Sequence, residues 1–287
     1  MIKLAVVGDP IEHSMSPSVH GAVLEHLGID YKYYKIQVKK GELESFIQYA
    51  ISEGIDGFNL TMPHKCDIIP YLSGIDDEAM KYQSVNTVKV CGGKLYGYNT
   101  DAIGYTQALA LNGEFVKNRR ILILGAGGVS RTLAQRVAYE GAKSLTILNR
   151  TVSEAERVCS MVTKRNIELS YGELIYNEIY NQCRECDILI NATPLGMEEI
   201  DKDFDNLDFI DVLPDGCVVT DLIYKPEETS FLKRAKARGL KTVNGYGMLI
   251  LQGVLADEIY LSREIDKKEV YPVAEKAIKD FLLRHKK

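Results

Sequence analysis

A chain of 287 residues is long enough for roughly two domains, and its 46% of hydrophobic residues can supply a core to each. The formal net charge of −5 argues against a nucleic-acid or membrane-surface partner, because such partners select basic protein faces. The sequence opens with a strand-like segment, has no apolar run of membrane-spanning length and carries six scattered cysteines, so we expect no signal peptide, no transmembrane helix, no disulfide framework and a cytoplasmic location.

The first predicted strand, residues 3–7, ends in a turn that leads to the segment HSMSPSVH. Pro17 favours the first position of a helix, so Ser16 is the predicted N-cap of a helix that stops at Gly28. The hydroxyls of Ser14 and Ser16 at a helix start suit a substrate carboxylate, but an ordinary cap uses the same residue types. Both interpretations stay open at this point.

A strand at residues 31–38 and a helix at 42–52 precede the segment GFNLTMPHK. The next strand, residues 56–61, ends before a proline, and a helix is predicted to begin at His64. Lys65 then lies in a first helical turn, where the helix dipole disfavours a positive charge. A lysine placed against its local electrostatics is a candidate for chemistry, although a surface lysine that reaches solvent fits the same pattern.

Strands at residues 85–90 and 94–98 are separated by a glycine pair, which predicts a β-hairpin. Polar side chains are grouped at the open end of this hairpin: Asn86, Asn99, Thr100 and Asp101. Asp101 is placed to cap a long helix that begins there. Together with its neighbours it also supplies donors and acceptors for a polyhydroxylated ligand, and the sequence does not decide between the two roles.

A strand at residues 121–124 is followed by a glycine-rich turn and by a helical pattern through Ala138. The turn residues are Gly125, Ala126, Gly127 and Gly128. Ser130 replaces the last glycine of the usual dinucleotide fingerprint, and a second apolar strand at 145–148 closes a βαβ unit of about 30 residues. We therefore predict a dinucleotide site, with a purely structural glycine turn as the alternative.

The end of that second strand indicates which dinucleotide binds. Asn149, Arg150 and Thr151 stand where an NAD site usually has an acidic residue for the ribose hydroxyl. Arg150 can donate two parallel hydrogen bonds to a 2′-phosphate, so the sequence favours NADP over a solvated surface arginine. Glu154 would repel that phosphate if it pointed inward, but Thr151 and Glu154 also fit a capping box that turns Glu154 toward its own backbone.

The following segment continues the alternation of helices and strands. A helix is predicted to end near Arg165, and three more strands are predicted at residues 187–190, 218–222 and 242–244. This alternation favours a parallel sheet with helices on both faces. Residues 191–194 and Tyr224 follow strands, so we expect them at the rim of the sheet near the cofactor.

Two further features concern metals and packing. Cys183 and Cys186 form one CxxC with no second pair and no nearby histidine, so no metal site is predicted. Gln252 interrupts an apolar helix and must find a hydrogen-bond partner, which is either a ligand or a buried carbonyl. A final amphipathic helix, residues 270–284, is expected to pack on the N-terminal half.

Taken together, these segments resemble the shikimate dehydrogenases, NADP-dependent enzymes that reduce 3-dehydroshikimate to shikimate in aromatic amino-acid biosynthesis. The resemblance covers both halves of the chain and rests on motifs in the family order: HSMSP, NLTMPHK, SVNT, YNTD, GAGGVSR, NRT, NATPLGM, YKP and GMLILQG. So many ordered motifs are far more specific than the glycine turn alone.

The resemblance implies Lys65 and Asp101 as the catalytic pair. It implies that the substrate, shikimate or 3-dehydroshikimate, contacts Ser14, Ser16, Thr61, Asn86, Tyr224 and Gln252. It implies that NADP contacts Gly125, Ala126, Gly127, Gly128, Asn149, Arg150, Thr151 and Gly245. Two departures are visible, because many relatives have a basic residue where Glu154 stands and SVNT replaces the commoner AVNT.

The implied fold class is α/β, with an N-terminal substrate domain, a Rossmann-type doubly wound NADP domain and a cleft between them. We expect residues 1–103 plus 246–287 to form the substrate domain and residues 104–245 the NADP domain. A quinate or dual quinate/shikimate dehydrogenase and a noncatalytic NADP-binding regulator are the rival functions. The sequence leaves the oligomeric state open, a homodimer included.

Overall fold

The computed structural model describes residues 1–163 and 166–284 as a mixed α/β protein. Its contacts group the chain into two compact units, one formed by Met1–Gly104 with Ile250–Lys287 and the other by Tyr105–Leu249. Each unit contains one six-stranded sheet. Two helices, α5 (Asp101–Leu111) and α10 (Tyr246–Leu261), begin in one unit and end in the other.

The first unit is built on a mixed sheet. Its strands are β1 (Ile2–Gly8), β2 (Tyr31–Gln37), β3 (Gly57–Leu60), β4 (Gly74–Ile75), β5 (Thr87–Cys91) and β6 (Lys94–Tyr98). Their spatial order is β2-β1-β3-β5-β6-β4, with β1 parallel to both of its neighbours and β5 antiparallel to both of its own. Its further helices are α1 (Ser16–His26), α2 (Leu43–Ser52), α3 (His64–Asp67), α4 (Asp77–Tyr82) and α11 (Lys267–Arg284), with a 3₁₀ turn at Ile69–Tyr71.

The expected hairpin is present as β5 and β6, and its register is fixed by a two-residue turn. Cys91 pairs with Lys94 across Gly92 and Gly93, which both have positive φ. Such a turn matches the twist of antiparallel strands and favours glycine at both positions. At the other end of the hairpin Thr87 pairs with Tyr98, which brings the residues on either side of the open end together.

Two details of the first unit differ from the sequence interpretation. The first helix begins at Ser16 itself and Met15 occupies the cap position without a side-chain bond, so Ser16 is not the N-cap. Helix α4, capped by the Asp76 carboxylate, was not predicted, nor was the two-residue strand β4. The expected packing of the last helix is confirmed, because α11 lies against α1.

The second unit is a fully parallel sheet. Its strands are β7 (Arg120–Leu124), β8 (Ser144–Asn149), β9 (Glu168–Glu173), β10 (Ile188–Asn191), β11 (Val218–Asp221) and β12 (Lys241–Val243). They lie in the order β12-β11-β10-β7-β8-β9, and every neighbouring pair is parallel. Its further helices are α6 (Gly128–Tyr139), α7 (Val152–Met161), α8 (Tyr176–Cys183) and α9 (Ser230–Ala237), with a 3₁₀ turn at Asp208–Val212.

The reversal of strand order beside β7 makes its carboxyl end a switch point, where open α/β sheets bind ligands.

Helix α7 ends at Met161, and Arg165, near which the sequence predicted its end, lies outside the described residues. Strand β9 and helix α8 were not predicted. Nearly all of β9 is exposed at the edge of the sheet, so it lacks the apolar run that marks a buried strand.

Three observations bear on the classes considered above. No helix within residues 1–163 and 166–284 is long and apolar enough to cross a membrane. All six cysteines are unpaired. Among the same residues, no group of three or more His, Cys, Asp or Glu side chains is arranged to hold a metal ion.

Candidate active site

The first unit contains a lysine–aspartate ion pair at the carboxyl end of β3. The Lys65 ammonium lies 2.6 Å from Oδ2 of Asp101. The two side chains are 28% and 13% exposed, so the pair is shielded yet still open to a small molecule. A cation held by one carboxylate at an accessible position can stabilise negative charge on a reacting oxygen and can give up a proton to it.

Backbone contacts fix the segments that carry this pair. Strand β3 leads through Thr61 into α3, and the Lys65 carbonyl accepts a hydrogen bond from the Val85 amide at 2.8 Å. Asp101 is the first residue of α5, as predicted, and its backbone amide donates to Oδ1 of Asn99 at 3.1 Å. Both ends of the ion pair therefore rest on the open end of the β5–β6 hairpin.

Asn86 connects the pair to its surroundings. Its Nδ2 donates to Oδ1 of Asp101 at 2.8 Å and to the Thr100 hydroxyl at 2.9 Å, while its Oδ1 accepts from the Thr100 amide at 2.9 Å. Oε1 of Gln252 lies 3.5 Å from the same Nδ2. The structure thus brings together Lys65, Asp101, Asn86 and Gln252. The sequence placed Asn86 and Asp101 at the open end of the hairpin, and the family resemblance added Lys65 and Gln252.

The remaining predicted substrate residues are not joined directly to this group. The Ser14 hydroxyl donates to the Ser16 hydroxyl at 3.2 Å, and the Ser16 amide donates back to Ser14 Oγ at 3.3 Å. Thr61 is held by two backbone hydrogen bonds. Its amide donates to the Val7 carbonyl, and its carbonyl accepts from the His64 amide. Tyr224 belongs to the second unit, where burial raises the pKa of its phenol.

Sequence reasoning missed three polar residues that lie next to this group: Tyr33, Asn59 and Thr87. The Tyr33 hydroxyl donates to Oδ1 of Asn59 at 2.8 Å, and Asn59 Nδ2 donates to the Thr87 hydroxyl at 3.2 Å. Asn59 and Thr87 are almost fully buried in β3 and β5. A polar residue at a strand position surrounded by apolar ones was the available signal, since such a group must be hydrogen-bonded.

The glycine turn in the second unit has two kinds of glycine. Gly125 has φ +104°, and a Cβ there would lie 2.9 Å from the Ala192 carbonyl oxygen, so the backbone itself requires glycine. A Cβ on Gly127 or Gly128 would meet nothing within 4 Å. These two residues are the N-cap and the first residue of the twelve-residue helix α6, whose first backbone amides have no partner within the helix. The open approach and the helix N-terminus fit a pyrophosphate.

The residues after β8 include one that is hydrogen-bonded to backbone groups, Asn149, and one that is exposed, Arg150. Oδ1 of Asn149 accepts from the Ala126 amide at 3.1 Å, and its Nδ2 donates to the Thr151 carbonyl at 3.0 Å. Arg150 is exposed and has no ion-pair partner within the described part of the chain. Gly245 passes so close to the Leu222 carbonyl that a Cβ would collide with it, which explains glycine at this position.

Glu154 does not form the capping box that its spacing with Thr151 allowed. Thr151 makes no side-chain cap, and the Glu154 carboxylate instead binds Arg157, with Oε2 at 2.5 Å from Nη2 and 3.2 Å from Nε. The three-residue spacing places both side chains on one face of α7. The carboxylate is thereby paired with a neighbouring guanidinium, although it still carries its charge in the first turn after Arg150.

A buried carboxylate, Asp221, joins the loops at the carboxyl end of the second sheet. Its Oδ1 accepts from Asn191 Nδ2 at 3.1 Å and from the Ile223 amide at 3.0 Å, while Oδ2 accepts from the Thr229 hydroxyl at 2.7 Å. Burial raises the pKa of Asp221 to about 6, and the hydrogen bonds from Thr229, Ile223 and Asn191 oppose that rise. Asn191 precedes Ala192, which contacts the glycine turn.

Together, the switch-point glycine turn and the lysine–aspartate pair define a class: an α/β protein with a dinucleotide site and an acid–base pair. Comparison with known families narrows this class. A model of the shikimate dehydrogenase substrate binding domain matches residues 6–88, and a model of shikimate / quinate 5-dehydrogenase matches residues 108–202. The chain belongs to the shikimate dehydrogenase family.

Curated relatives match over nearly the whole chain. The NADP(+) shikimate dehydrogenase of Alkaliphilus metalliredigens is 39% identical over 264 residues, 91% of this chain and 92% of the relative. That of Methanococcus aeolicus is 41% identical over 261 residues, 90% and 91% of the two chains. The resemblance therefore extends well beyond the short motifs.

Solved structures show the same fold with different bound molecules. The Thermus thermophilus shikimate 5-dehydrogenase in complex with NADP(H) and shikimate has a TM-score of 0.82 at 31% identity, covering 96% of this chain and all of that one. The Listeria monocytogenes enzyme, in complex with shikimate and NAD, scores 0.87 at 29%, covering 95% and 96%. A ligand-free 5-ketofructose reductase of Gluconobacter scores 0.84 at 31%, covering 96% and 98%.

Proposed function

We propose that this chain catalyses the reversible NADPH-dependent reduction of 3-dehydroshikimate to shikimate. The observation that carries the proposal is the 2.6 Å contact between the Lys65 ammonium and Asp101 in a member of this family. A noncatalytic regulator would have no need of this arrangement. The pair is partly exposed and lies beside amide groups that suit hydroxyl recognition, as a reaction at a ring carbon requires.

Lys65 is assigned the proton-transfer role. NADPH, when bound, supplies the hydride that reduces the C3 carbonyl carbon. Negative charge then develops on the carbonyl oxygen, and the Lys65 ammonium stabilises it and donates a proton to form the hydroxyl. Asp101 holds the ammonium in place, and in the oxidative direction it stabilises the charge that returns to Lys65.

The substrate assignments follow the distribution of polar groups. The hydroxyls of Ser14 and Ser16, 3.2 Å apart, are assigned to the substrate carboxylate with Tyr224 as a further donor. Asn86, Gln252 and Thr61 are assigned to the ring hydroxyls. Amide side chains can donate and accept at once, which suits neighbouring hydroxyls that do both.

The cofactor assignments rest on the open space at the glycine turn. Gly125, Ala126, Gly127 and Gly128 are assigned to the pyrophosphate and Gly245 to the same cofactor. Arg150 and Thr151 are assigned to the adenosine phosphate, with Asn149 holding the two segments together. We assign residues 1–103 plus 246–287 to the substrate domain and 104–245 to the NADP domain.

A dual quinate/shikimate dehydrogenase that uses NAD or NADP is the second candidate. Glu154 favours it, because a carboxylate one turn from Arg150 weakens the attraction for a 2′-phosphate. The Listeria relative was solved with NAD, and the Gluconobacter neighbour is named for a different substrate. Family membership by itself therefore leaves both substrate and cofactor preference to be measured.

Steady-state assays at 340 nm test the proposal directly. Shikimate and quinate would each be offered with NADP and with NAD, and 3-dehydroshikimate would be offered with NADPH. We expect the highest kcat/KM for shikimate with NADP. A higher value for quinate, or for NAD, would establish the second candidate, and no turnover of either acid would establish a noncatalytic binder.

We further propose that the reaction serves chorismate and aromatic amino-acid biosynthesis in the cytoplasm. Six unpaired cysteines are what a reducing compartment favours. The sequence leaves a homodimer as one of the open assemblies, and light scattering during gel filtration distinguishes it from a monomer by mass.

A further inference from the structure

A chain of hydrogen bonds, partly buried at Tyr33 and buried beyond it, runs from β2 to the proposed catalytic carboxylate. Tyr33 donates to Asn59 at 2.8 Å, Asn59 to the Thr87 hydroxyl at 3.2 Å, and Thr87 to Oδ1 of Asn86 at 2.9 Å. Asn86 Nδ2 then donates to Asp101 at 2.8 Å. Four links therefore connect an outer strand of the first sheet to Asp101.

Two backbone groups fix the direction of this chain. The Thr100 amide can only donate, so the atom of Asn86 that it contacts at 2.9 Å must be the oxygen, which leaves Nδ2 facing Asp101. The Asn86 carbonyl can only accept, so the Asn59 atom 3.5 Å from it must be the amide nitrogen. Neither amide can flip without placing two like groups against each other.

The hydroxyls in the chain are directed by their neighbours. Thr87 accepts from Asn59 and donates to Asn86 Oδ1 at 2.9 Å, which is nearer than its other neighbouring oxygen, the Thr100 hydroxyl at 3.5 Å. Burial of its hydroxyl raises the pKa of Tyr33 well above its ordinary value, and the charge of Asp257 adds to the rise, so Tyr33 stays protonated and remains a donor. Every donor thus points toward Asp101, and hydrogen bonds aligned in one direction strengthen each other.

We propose that Asn59 and Thr87 are positioning residues that hold the Asn86 amide against Asp101 and so orient the Lys65–Asp101 pair. Neither residue has been assigned a role above, and neither contacts Lys65 or Asp101 in the structure. The inference rests on the proposed dehydrogenase function for its kinetic consequence. Its geometric consequence, the placement of Asn86, is independent of which substrate the enzyme uses.

Thr87→Val is the sharpest test, because it preserves side-chain shape and removes the donor. A methyl group would replace a hydroxyl that lies 2.9 Å from Asn86 Oδ1, and a carbon needs roughly 3.5 Å, so the amide must move by several tenths of an ångström. Thr87→Ser keeps the hydroxyl. Thr146→Val is the matched control, since Thr146 is also a buried strand threonine whose hydroxyl is bonded, to Ser170 at 2.7 Å.

Crystal structures and kinetics of the three variants are then compared with the unmodified enzyme. We expect Thr87→Val to lengthen the Asn86–Asp101 contact beyond about 3.2 Å, the limit of a good N–H···O bond. We expect it to lower kcat about tenfold, because small displacements at a catalytic pair are costly. Thr87→Ser and Thr146→Val should stay within about twofold, and melting temperatures report any loss of folding.

The proposal is overturned if the Asn86–Asp101 contact is unchanged in Thr87→Val, or if Thr87→Ser loses as much kcat as Thr87→Val. The first result would mean that Thr100 alone positions Asn86, and the second would indicate a general packing effect. Should the unmodified enzyme turn over neither shikimate nor quinate, the proposed function fails. The crystallographic distance then decides the positioning role by itself.

Discussion

The proposed sites of the two units differ in kind, because side chains form the first and backbone groups form the second. In the first unit the site consists of side chains that bind one another, with Lys65, Asp101 and Asn86 linked by contacts of 2.6 and 2.8 Å. In the second unit it consists of backbone groups and open space at Gly127 and Gly128. A side-chain site is sensitive to changes of functional groups, whereas a backbone site is sensitive to added volume.

The largest expected effect comes from removing the cation of the side-chain site. Lys65→Ala should lower kcat by about 10²- to 10⁴-fold, the usual contribution of general acid catalysis, with little change in the KM for shikimate. Lys94→Ala, at an exposed position of the hairpin turn, is the control. Near-normal turnover of Lys65→Ala at saturating substrate would remove Lys65 from the mechanism.

The second prediction concerns the buried carboxylate behind the backbone site. The pKa of Asp221 is raised in the folded protein, to about 6, so its contribution to stability is complete below its unfolded pKa and is lost as the pH rises through 6. Asp221→Asn does not titrate and lacks this loss. The free energy of unfolding of Asp221→Asn, relative to that of the unmodified enzyme, should therefore increase from pH 4 to pH 7, by up to about 3 kcal/mol.

Urea unfolding at several pH values measures that difference. Asp187→Asn is a useful comparison, because Arg120 holds the pKa of Asp187 below its ordinary value, so the contribution of Asp187 to stability is lost only at lower pH and its difference from the unmodified enzyme should stay constant from pH 4 to 7. A constant difference between Asp221→Asn and the unmodified enzyme from pH 4 to 7 would contradict the prediction.

The third prediction separates the two kinds of glycine. Gly125→Ala should lower stability by about 1–3 kcal/mol, because φ +104° is unfavourable for alanine and its Cβ would press on Ala192. Gly127→Ala has no such contact and should keep its melting temperature. Its methyl group enters the space assigned to the pyrophosphate, so the KM for NADPH should rise roughly tenfold or more.

Thermal melting and NADPH titration distinguish these outcomes. If Gly127→Ala binds NADPH as tightly as the unmodified enzyme, the pyrophosphate does not lie against this turn. If it melts lower as well, the glycine is structural.

The smallest expected effect is on cofactor choice. Glu154→Arg removes the carboxylate next to Arg150 and releases Arg157, so the ratio of kcat/KM for NADP over NAD should rise about tenfold. Glu156→Arg makes the same change of charge at an exposed position two residues along α7 and is expected to leave the ratio nearly unchanged. An equal rise in both variants would indicate a nonspecific effect of net charge.

Much of the fold could be predicted from the sequence because local chemistry specifies it. The glycine pair specified the β5–β6 hairpin, and the strand–glycine turn–helix specified the beginning of the parallel sheet. Strand β9 could not be predicted in the same way, since its residues are exposed and do not form an apolar run. The short strand β4 depends on pairing with β6, which is a tertiary contact.

The candidate site also has a part that local sequence indicates and a part that depends on tertiary contacts. Lys65 and Asp101 were predicted as a catalytic pair from their motifs, and Asn86 was predicted as a ligand contact from its place at the open end of the hairpin. The involvement of Asn59 and Thr87 depends on strands that are distant in sequence and on amide orientations set by backbone groups. The pairing of Glu154 with Arg157 was missed because a capping box and an ion pair use the same spacing along a helix.

The two-residue turn at Gly92 and Gly93 lies at the far end of the hairpin from Asn86, yet it determines the pairing of Thr87 with Tyr98. Side chains alternate between the two faces of a strand, so a one-residue slip of this register would direct the partners of Asn86 to the opposite face. Natural or engineered length changes should therefore be accepted at this turn only where the added residues stay in the loop and leave the pairing of Thr87 with Tyr98 unchanged. A remote, solvent-exposed loop would in this way limit how the chemistry can evolve.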